Sequence, residues 1–124
     1  MSIMEDTSLN VFGKPLIACC YEPLTGYFRD GFCRTIEQDS GTHVVCAQVT
    51  EAFLNFSANR GNDLITPRPQ WNFPGLKPGD FWCLCVSRWL EAEKAGVAPK
   101  LKLEACHQET LNYTTLNLLE QYAL

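Results

Sequence analysis

The stretch "NDLITPRPQWNFPGLKPGD", residues 62–80, limits the possible folds more than any other part of the chain. It carries prolines at positions 67, 69, 74 and 78. A proline lacks the backbone N–H that helices and inner strands need, so neither element fits this segment. Nineteen residues without regular structure are long for a compact domain, and such loops usually serve a function or cover a surface. We predict an ordered loop with the apolar anchors Leu64, Ile65, Trp71, Phe73 and Leu76.

Three segments outside this loop predict β-strands. The runs "THVVCAQV" (42–49) and "FWCLCVS" (81–87) are apolar on both faces, which is typical of buried strands. The run "KLKLEAC" (100–106) alternates polar and apolar residues, which indicates a strand with one exposed face.

Three helices are predicted beside these strands. Thr50 is a suitable N-cap for a helix over 51–60, and Ser87 for a helix over 88–95. Apolar spacing predicts a third helix over 115–123. Together the elements predict an α+β fold with a small, mostly antiparallel sheet. The alternative is an α/β fold with a parallel strand pair joined by crossovers.

Charge and hydropathy argue against two classes of partner. The net charge is −4, and the ten Lys and Arg residues form no basic cluster, so nucleic acid is not an expected partner. No apolar run reaches the ~18 residues that span a bilayer. The N-terminus "MSIMEDTSLN" is acidic rather than a secretory signal, so we expect a cytoplasmic protein. Residues 1–8 are expected to form a flexible tail before a single globular domain over 9–124.

The seven cysteines follow no recognised pattern. Their number is odd, Cys19 and Cys20 are adjacent, and no C-x-x-C occurs, so we expect reduced thiols and no cofactor. Strand alternation places Cys83 and Cys85 on one face, where core packing is the expected role. The alternative is a zinc site in which Cys83, Cys85 and His107 are the candidate ligands.

A catalytic site built on a cysteine is a second possibility. Cys33 follows "RDG" in a polar turn, and a thiol near Arg29 is expected to have a depressed pKa. Cys33 as nucleophile, His43 as base, and Asp63 or Asp30 as orienting group would form a catalytic set. His43 and Cys46 are three residues apart, so a regular strand places them on opposite faces.

A binding site is predicted beneath the 62–80 loop. The candidate ligand-binding residues are Arg29, Asp30, Asn62, Asp63, Arg68, Arg88 and Trp89. Other roles are available to them: Asn62 and Asp63 can bond local backbone, and Arg88 can pair with a carboxylate such as Asp80. The predicted function is a binding module for a polar or anionic small molecule or a protein partner. A thiol-dependent enzyme, a metal-binding protein, and a non-catalytic subunit or homodimer are the alternatives.

Several longer runs resemble a small bacterial family catalogued as a domain of unknown function (DUF2237). The runs that carry the resemblance are "TGYFRDGFC", "HVVCA", "GNDLITPRP", "FPGLKPGDFWCLC", "AGVAP" and "LEACH". The resemblance covers about residues 10–124 and implies one self-contained domain. It implies no activity and no catalytic residue. Cys106 stands where the family more usually has threonine, so no role is implied for that thiol.

Overall fold

The structure, a computed structural model, describes residues 8–124. All of the predicted N-terminal tail except Ser8 lies outside the described residues. No helix within the described part of the chain is both long and apolar enough to cross a membrane.

The sheet has three antiparallel strands: β1 (His43–Gln48), β2 (Phe81–Cys85) and β3 (Lys100–Leu101). β1 lies in the centre, so the strand order is β2-β1-β3. The central residues of β1 and β2 are buried on both sides, as their apolar sequences predicted. The α+β prediction is confirmed, and both strand pairs of the sheet are antiparallel rather than parallel.

Within residues 8–124, three α-helices accompany the sheet: α1 (Glu51–Asn59), α2 (Val86–Lys94) and α3 (Leu116–Glu120). The cap predicted for α1 is present, because the Thr50 hydroxyl accepts a hydrogen bond of 3.1 Å from the Phe53 N–H. The predicted α3 is shorter than expected and begins after the N-cap Thr115.

The predicted start of α2 is wrong by two residues. Cys85 ends β2 and is also the N-cap of α2, so Ser87 lies within the first turn of the helix. The Ser87 hydroxyl lies 3.2 Å from the Cys85 sulfur rather than capping the backbone. The sequence does not show where the strand ends and the helix begins, because an apolar residue such as Val86, which is buried, suits either element.

The predicted strand over 100–106 is also too long. β3 covers only Lys100–Leu101, and a 3₁₀ turn follows over Leu103–Ala105. The backbone still follows β1, because the N–H groups of Lys102 and His107 donate to its carbonyls. Leu103 and Ala105 are buried, so apolar alternation is satisfied without extended backbone.

A β-bulge near the start of β1 changes which residues share a face. Cys46 lies opposite Cys83 on β2, whereas His43 lies opposite Cys85, so β1 has one extra residue between them. Cys83 and Cys85 are two residues apart and share a face. Their partners Cys46 and His43 therefore face the same side, and the prediction of opposite faces is wrong.

The 62–80 loop contains one 3₁₀ turn, Pro69–Trp71, which is closed by a β-bridge between Arg68 and Phe73. Two of its predicted anchors, Phe73 and Leu76, are buried in the core. The Leu76 N–H also donates to the Leu64 carbonyl at 2.8 Å. Trp71 is 63% exposed, so this side chain is available at the surface rather than acting as an anchor.

Candidate functional site

A cleft of about 480 Å³ lies between the 62–80 loop, the turn at residues 26–29 and the sheet. This is the region in which the sequence predicted a binding site. Its aromatic walls are Tyr27, Trp71, Phe73 and Trp82. The predicted binding residues that line it are Arg29, Asn62, Asp63 and Arg68.

Two arginines of the cleft lie over tryptophan rings. The Arg29 guanidinium carbon is 5.4 Å from the Trp82 ring centre, and that of Arg68 is 5.9 Å from the Trp71 ring centre. Such contacts hold a planar cation in place and leave its edge free for hydrogen bonds. Arg29 has a positive φ of 56°, which is uncommon for a side chain of this size.

Asp63 shapes the loop that borders the cleft. Its carboxylate accepts hydrogen bonds from the Thr66 hydroxyl at 2.6 Å and from the N–H groups of Ile65 and Thr66. These bonds lower the pKa of Asp63, and Arg68, 3.8 Å from the carboxylate, adds to the effect. The local turn that the sequence offered as an alternative role is therefore present.

His43 is held by a buried carboxylate that the sequence analysis missed. Its Nδ1 lies 2.7 Å from Asp39, whose other oxygen accepts the His43 backbone N–H at 2.9 Å and the Thr35 hydroxyl at 3.1 Å. Asp39 is only 3% exposed. The imidazole packs on Gly41, where a side chain would overlap it, and it lines the cleft.

Two disulfides overturn the prediction of fully reduced cysteines. They join Cys19 to Cys46 and Cys33 to Cys83, and all four residues are buried. The spacing of the cysteines gave no signal for these pairs, because the bridges span 27 and 50 residues.

The predicted catalytic set is not assembled as expected. Cys33 is bonded to Cys83 and is not a free nucleophile. Asp39, rather than Asp63 or Asp30, orients His43. Asp30 instead pairs with Arg34 at 2.6 Å.

Two further residues that were predicted to bind a ligand, Trp89 and Arg88, lie outside the main cleft. Trp89 is fully buried in the core, and its indole N–H donates to the Pro99 carbonyl at 3.0 Å. Arg88 borders an adjoining hollow, donates to the Arg60 carbonyl at 3.0 Å and lies 3.5 Å from Glu91. Its acidic partner is therefore on its own helix and is not Asp80.

The predicted zinc ligands do not come together. Among residues 8–124, the metal-binding atoms that cluster are the sulfurs of Cys19, Cys33 and Cys46, which lie within 4.8 Å of one another. Neither Cys85 nor His107 belongs to this group; the His107 Nδ1 accepts the Glu109 N–H.

The signal that could have identified Asp39 is short-range. Asp39 precedes His43 by four residues, and the turn between them brings its carboxylate to the His43 backbone N–H. In the sequence the 34–41 segment indicates only a polar loop, because a buried carboxylate cannot be distinguished from a solvated one.

Comparison with known proteins gives a family but no activity. No curated protein matches the chain. The family model described as an uncharacterised protein conserved in bacteria, DUF2237, matches residues 9–123. Since this match covers nearly the whole sequence, the chain belongs to the DUF2237 family.

Proposed function

We propose that the protein binds a small anionic molecule with a planar apolar part in the cleft beneath the 62–80 loop. The observation that carries the proposal is the pair of arginines, Arg29 and Arg68, each lying over a tryptophan that also lines the cleft. The arginines supply charge and donors for an anion, and the aromatic rings supply apolar contact.

The charge balance of the cleft favours an anion. Its lining includes two arginines and one acidic residue, Asp63. The Asp63 oxygens already accept three hydrogen bonds within the loop. Arg29, in contrast, makes one long hydrogen bond of 3.4 Å, to the Leu24 carbonyl, so most of its donors are available to a ligand.

A thiol-dependent enzyme has less support. Cys33 and Cys83 are joined to each other, and burial raises the pKa of Cys106 to about 12, which keeps it protonated at neutral pH. A protein partner or a second copy of the chain would use exposed rings such as Trp71. The concave position of both arginines favours a small molecule instead.

The experiment compares charged and neutral probes of similar shape. Benzoate and phenyl phosphate are titrated into ¹⁵N-labelled protein, with benzamide as the neutral control. We expect saturable shifts of amide signals in residues 26–29 and 61–73 with both anions and none with benzamide. Raising the salt concentration is expected to weaken binding, because exposed charges are screened.

Matched arginine variants locate the binding. Arg29→Gln and Arg68→Gln are each expected to weaken binding about tenfold or more, since a hydrogen bond to a charged group contributes about 1.5–3 kcal/mol. Arg60→Gln is the control, because Arg60 also lies over a ring, that of Phe56, but outside the cleft. Unchanged affinity in both cleft variants, or no shift with either anion, would refute the proposal.

A further inference from the structure

Four buried cysteines meet on one face of the sheet. Cys46 on β1 and Cys83 on β2 are directly opposed in the antiparallel register, so their side chains are cross-strand neighbours. Each is bonded to a cysteine from the irregular segment that precedes β1, Cys19 and Cys33 respectively. The two bridges are therefore adjacent.

The sulfur positions match the space around a single ion. The sulfurs of Cys19, Cys33 and Cys46 lie within 4.8 Å of one another although they belong to two different bridges. The Cys83 sulfur is bonded to that of Cys33. In a tetrahedral zinc site the Zn–S distance is about 2.3 Å, which sets the sulfurs about 3.8 Å apart. Bonded sulfurs are about 2.0 Å apart, so each pair reaches this spacing only once its S–S bond is broken.

We propose that, when both disulfides are reduced, Cys19, Cys33, Cys46 and Cys83 bind one zinc ion as a four-thiolate site. This site lies in the core, where Cys83 also lines the cleft. The proposal does not rest on the anion-binding function. It also differs from the site expected from the sequence, since neither Cys85 nor His107 contributes a ligand.

The conversion is balanced when a phosphine is the reductant. Each disulfide accepts two electrons from one phosphine, water gives its oxygen to form the phosphine oxide, and its two hydrogens end on the two thiols. Zinc then displaces four protons from the four thiols and forms four Zn–S bonds. The oxidation state of zinc does not change.

Hydrogen bonds other than the bridges also constrain the backbone at two of the four residues, Cys19 and Cys83. The Cys19 N–H donates to the Gly31 carbonyl at 2.7 Å, which ties the two irregular segments that carry Cys19 and Cys33. The Cys83 N–H donates to the buried Thr25 hydroxyl at 2.8 Å. Hydrogen bonds of this kind limit the movement of the loops after reduction.

The Lys102 side chain supplies a positive charge near one of the proposed ligands. Zinc with four thiolates carries a net charge of −2, which is costly in a core unless a positive group is close. The Lys102 ammonium donates to the carbonyls of Ala18 and Cys19, at 3.5 and 3.0 Å. It therefore lies beside the backbone of one proposed ligand.

The three remaining cysteines supply internal controls. Cys20 is adjacent to a proposed ligand in sequence, and Cys85 follows another by two residues, but both are half-buried and unbridged. Cys106 is buried, and its sulfur accepts the Cys46 N–H at 3.3 Å rather than joining the group of three.

The test measures metal and ligands in the wild-type chain. Protein reduced with a phosphine under argon is titrated with Co²⁺ and then with Zn²⁺, and oxidised protein is treated identically. We expect one equivalent of Co²⁺ with the intense visible absorption of tetrahedral thiolate coordination, displaced by one equivalent of Zn²⁺. The oxidised protein is expected to bind none.

Alkylation then identifies the ligands. In zinc-loaded protein, Cys20 and Cys85 are expected to react with iodoacetamide, whereas the four proposed ligands are protected. A chelator that removes the zinc is expected to increase the alkylation rates of the four proposed ligands at least tenfold. No metal bound to the reduced protein, or one equivalent that protects a different set of cysteines, would overturn the proposal.

Variants provide the same comparison at the level of single residues. Cys83→Ala is expected to abolish the Co²⁺ absorption, and Cys85→Ala to leave it unchanged. Cys83→Ala and Cys83→His both remove the bridge to Cys33, but histidine keeps a zinc-binding atom. Cys83→His is therefore included and is expected to retain one metal ion with a shifted spectrum. Full Co²⁺ absorption in Cys83→Ala, or loss in Cys85→Ala, would contradict the assignment.

Discussion

Asp39 is a buried carboxylate that holds His43, one of the residues that line the cleft. Burial raises its pKa, but the His43 backbone N–H, the His43 ring and the Thr35 hydroxyl outweigh this, so the pKa is lowered below its ordinary value. The ionised form is therefore the one that the fold stabilises. Asp39 fixes both the start of β1 and the orientation of an imidazole in the cleft.

The pH dependence of stability tests this role. A carboxylate with a lowered folded pKa stabilises the fold above its unfolded pKa of about 3.9, and the contribution is lost as pH falls through the folded value. At pH 7 we expect Asp39→Asn to lower the free energy of unfolding by about 1–3 kcal/mol, because an amide leaves a buried donor unmatched. Below about pH 4 the difference from wild type should shrink.

Urea unfolding at several pH values is the measurement, with Asp30→Asn as the control. Asp30 is paired with Arg34 at 2.6 Å but is partly exposed. Asp30→Asn is expected to lower the free energy of unfolding by no more than about 1 kcal/mol at pH 7. Equal losses in the two variants, or an Asp39→Asn loss that grows as the pH is lowered, would show that Asp39 does not have this role.

Among the elements, the 62–80 loop depends on glycine at one close contact. Gly75 has a φ of 82°, and a Cβ placed there would overlap the Ile65 carbonyl oxygen across the loop. Gly79 has a similar φ of 98° but has nothing within 4 Å of such a Cβ. Comparing alanine substitutions at these two positions therefore separates the free-energy cost of a left-handed backbone from that of a steric overlap.

We expect Gly79→Ala to lower the free energy of unfolding by about 1–2 kcal/mol, the cost of a left-handed conformation with a Cβ. Gly75→Ala is expected to lower the free energy of unfolding by the same amount and by about 1–3 kcal/mol more, because its Cβ overlaps the Ile65 carbonyl oxygen. It is also expected to weaken benzoate binding, since the loop borders the cleft. Urea unfolding and the probe titration measure both effects. Equal stability of the two variants would show that the loop relaxes around the contact.

Local signals in the sequence predicted the elements well where the structure is determined locally. Thr50 and the prolines of the loop act on their own neighbours, so the α1 cap and the loop were predicted correctly. The bulge before Val45 and the short β3 depend on contacts with distant strands, which the sequence pattern does not record. For the same reason His43 was assigned to the wrong face.

On the scale of the whole molecule, the position of the cleft was predictable, but its chemistry was only partly so. A long, proline-rich segment with apolar anchors indicated a covered site, and Arg29 and Arg68 do line a cleft there. The cysteine pairs could not be predicted, because each joins residues brought together only by the finished fold. Asp39 was missed because burial, not residue type, gives it its role.

The two disulfides together enclose residues 19–83, about half of the chain, and their loss is expected to lower the free energy of unfolding strongly. In the chain-entropy description, loops of 27 and 50 residues correspond to about 3.5 and 4 kcal/mol. The loops overlap between Cys33 and Cys46, so the two effects are not expected to add. We expect the double variant Cys19→Ala/Cys46→Ala to lose about 3–4 kcal/mol in non-reducing, metal-free buffer.

The control is Cys20→Ala, which removes the unbridged neighbour of Cys19 and is expected to change stability by less than about 1 kcal/mol. Urea unfolding with and without a phosphine separates the bridge from the packing of its sulfurs. Reduction should destabilise the wild type more than the double variant, because the wild type loses two bridges and the variant only one. If reduction lowered the stability of both proteins equally, the Cys19–Cys46 bridge would contribute nothing, and the observed loss in the variant would be a packing effect alone.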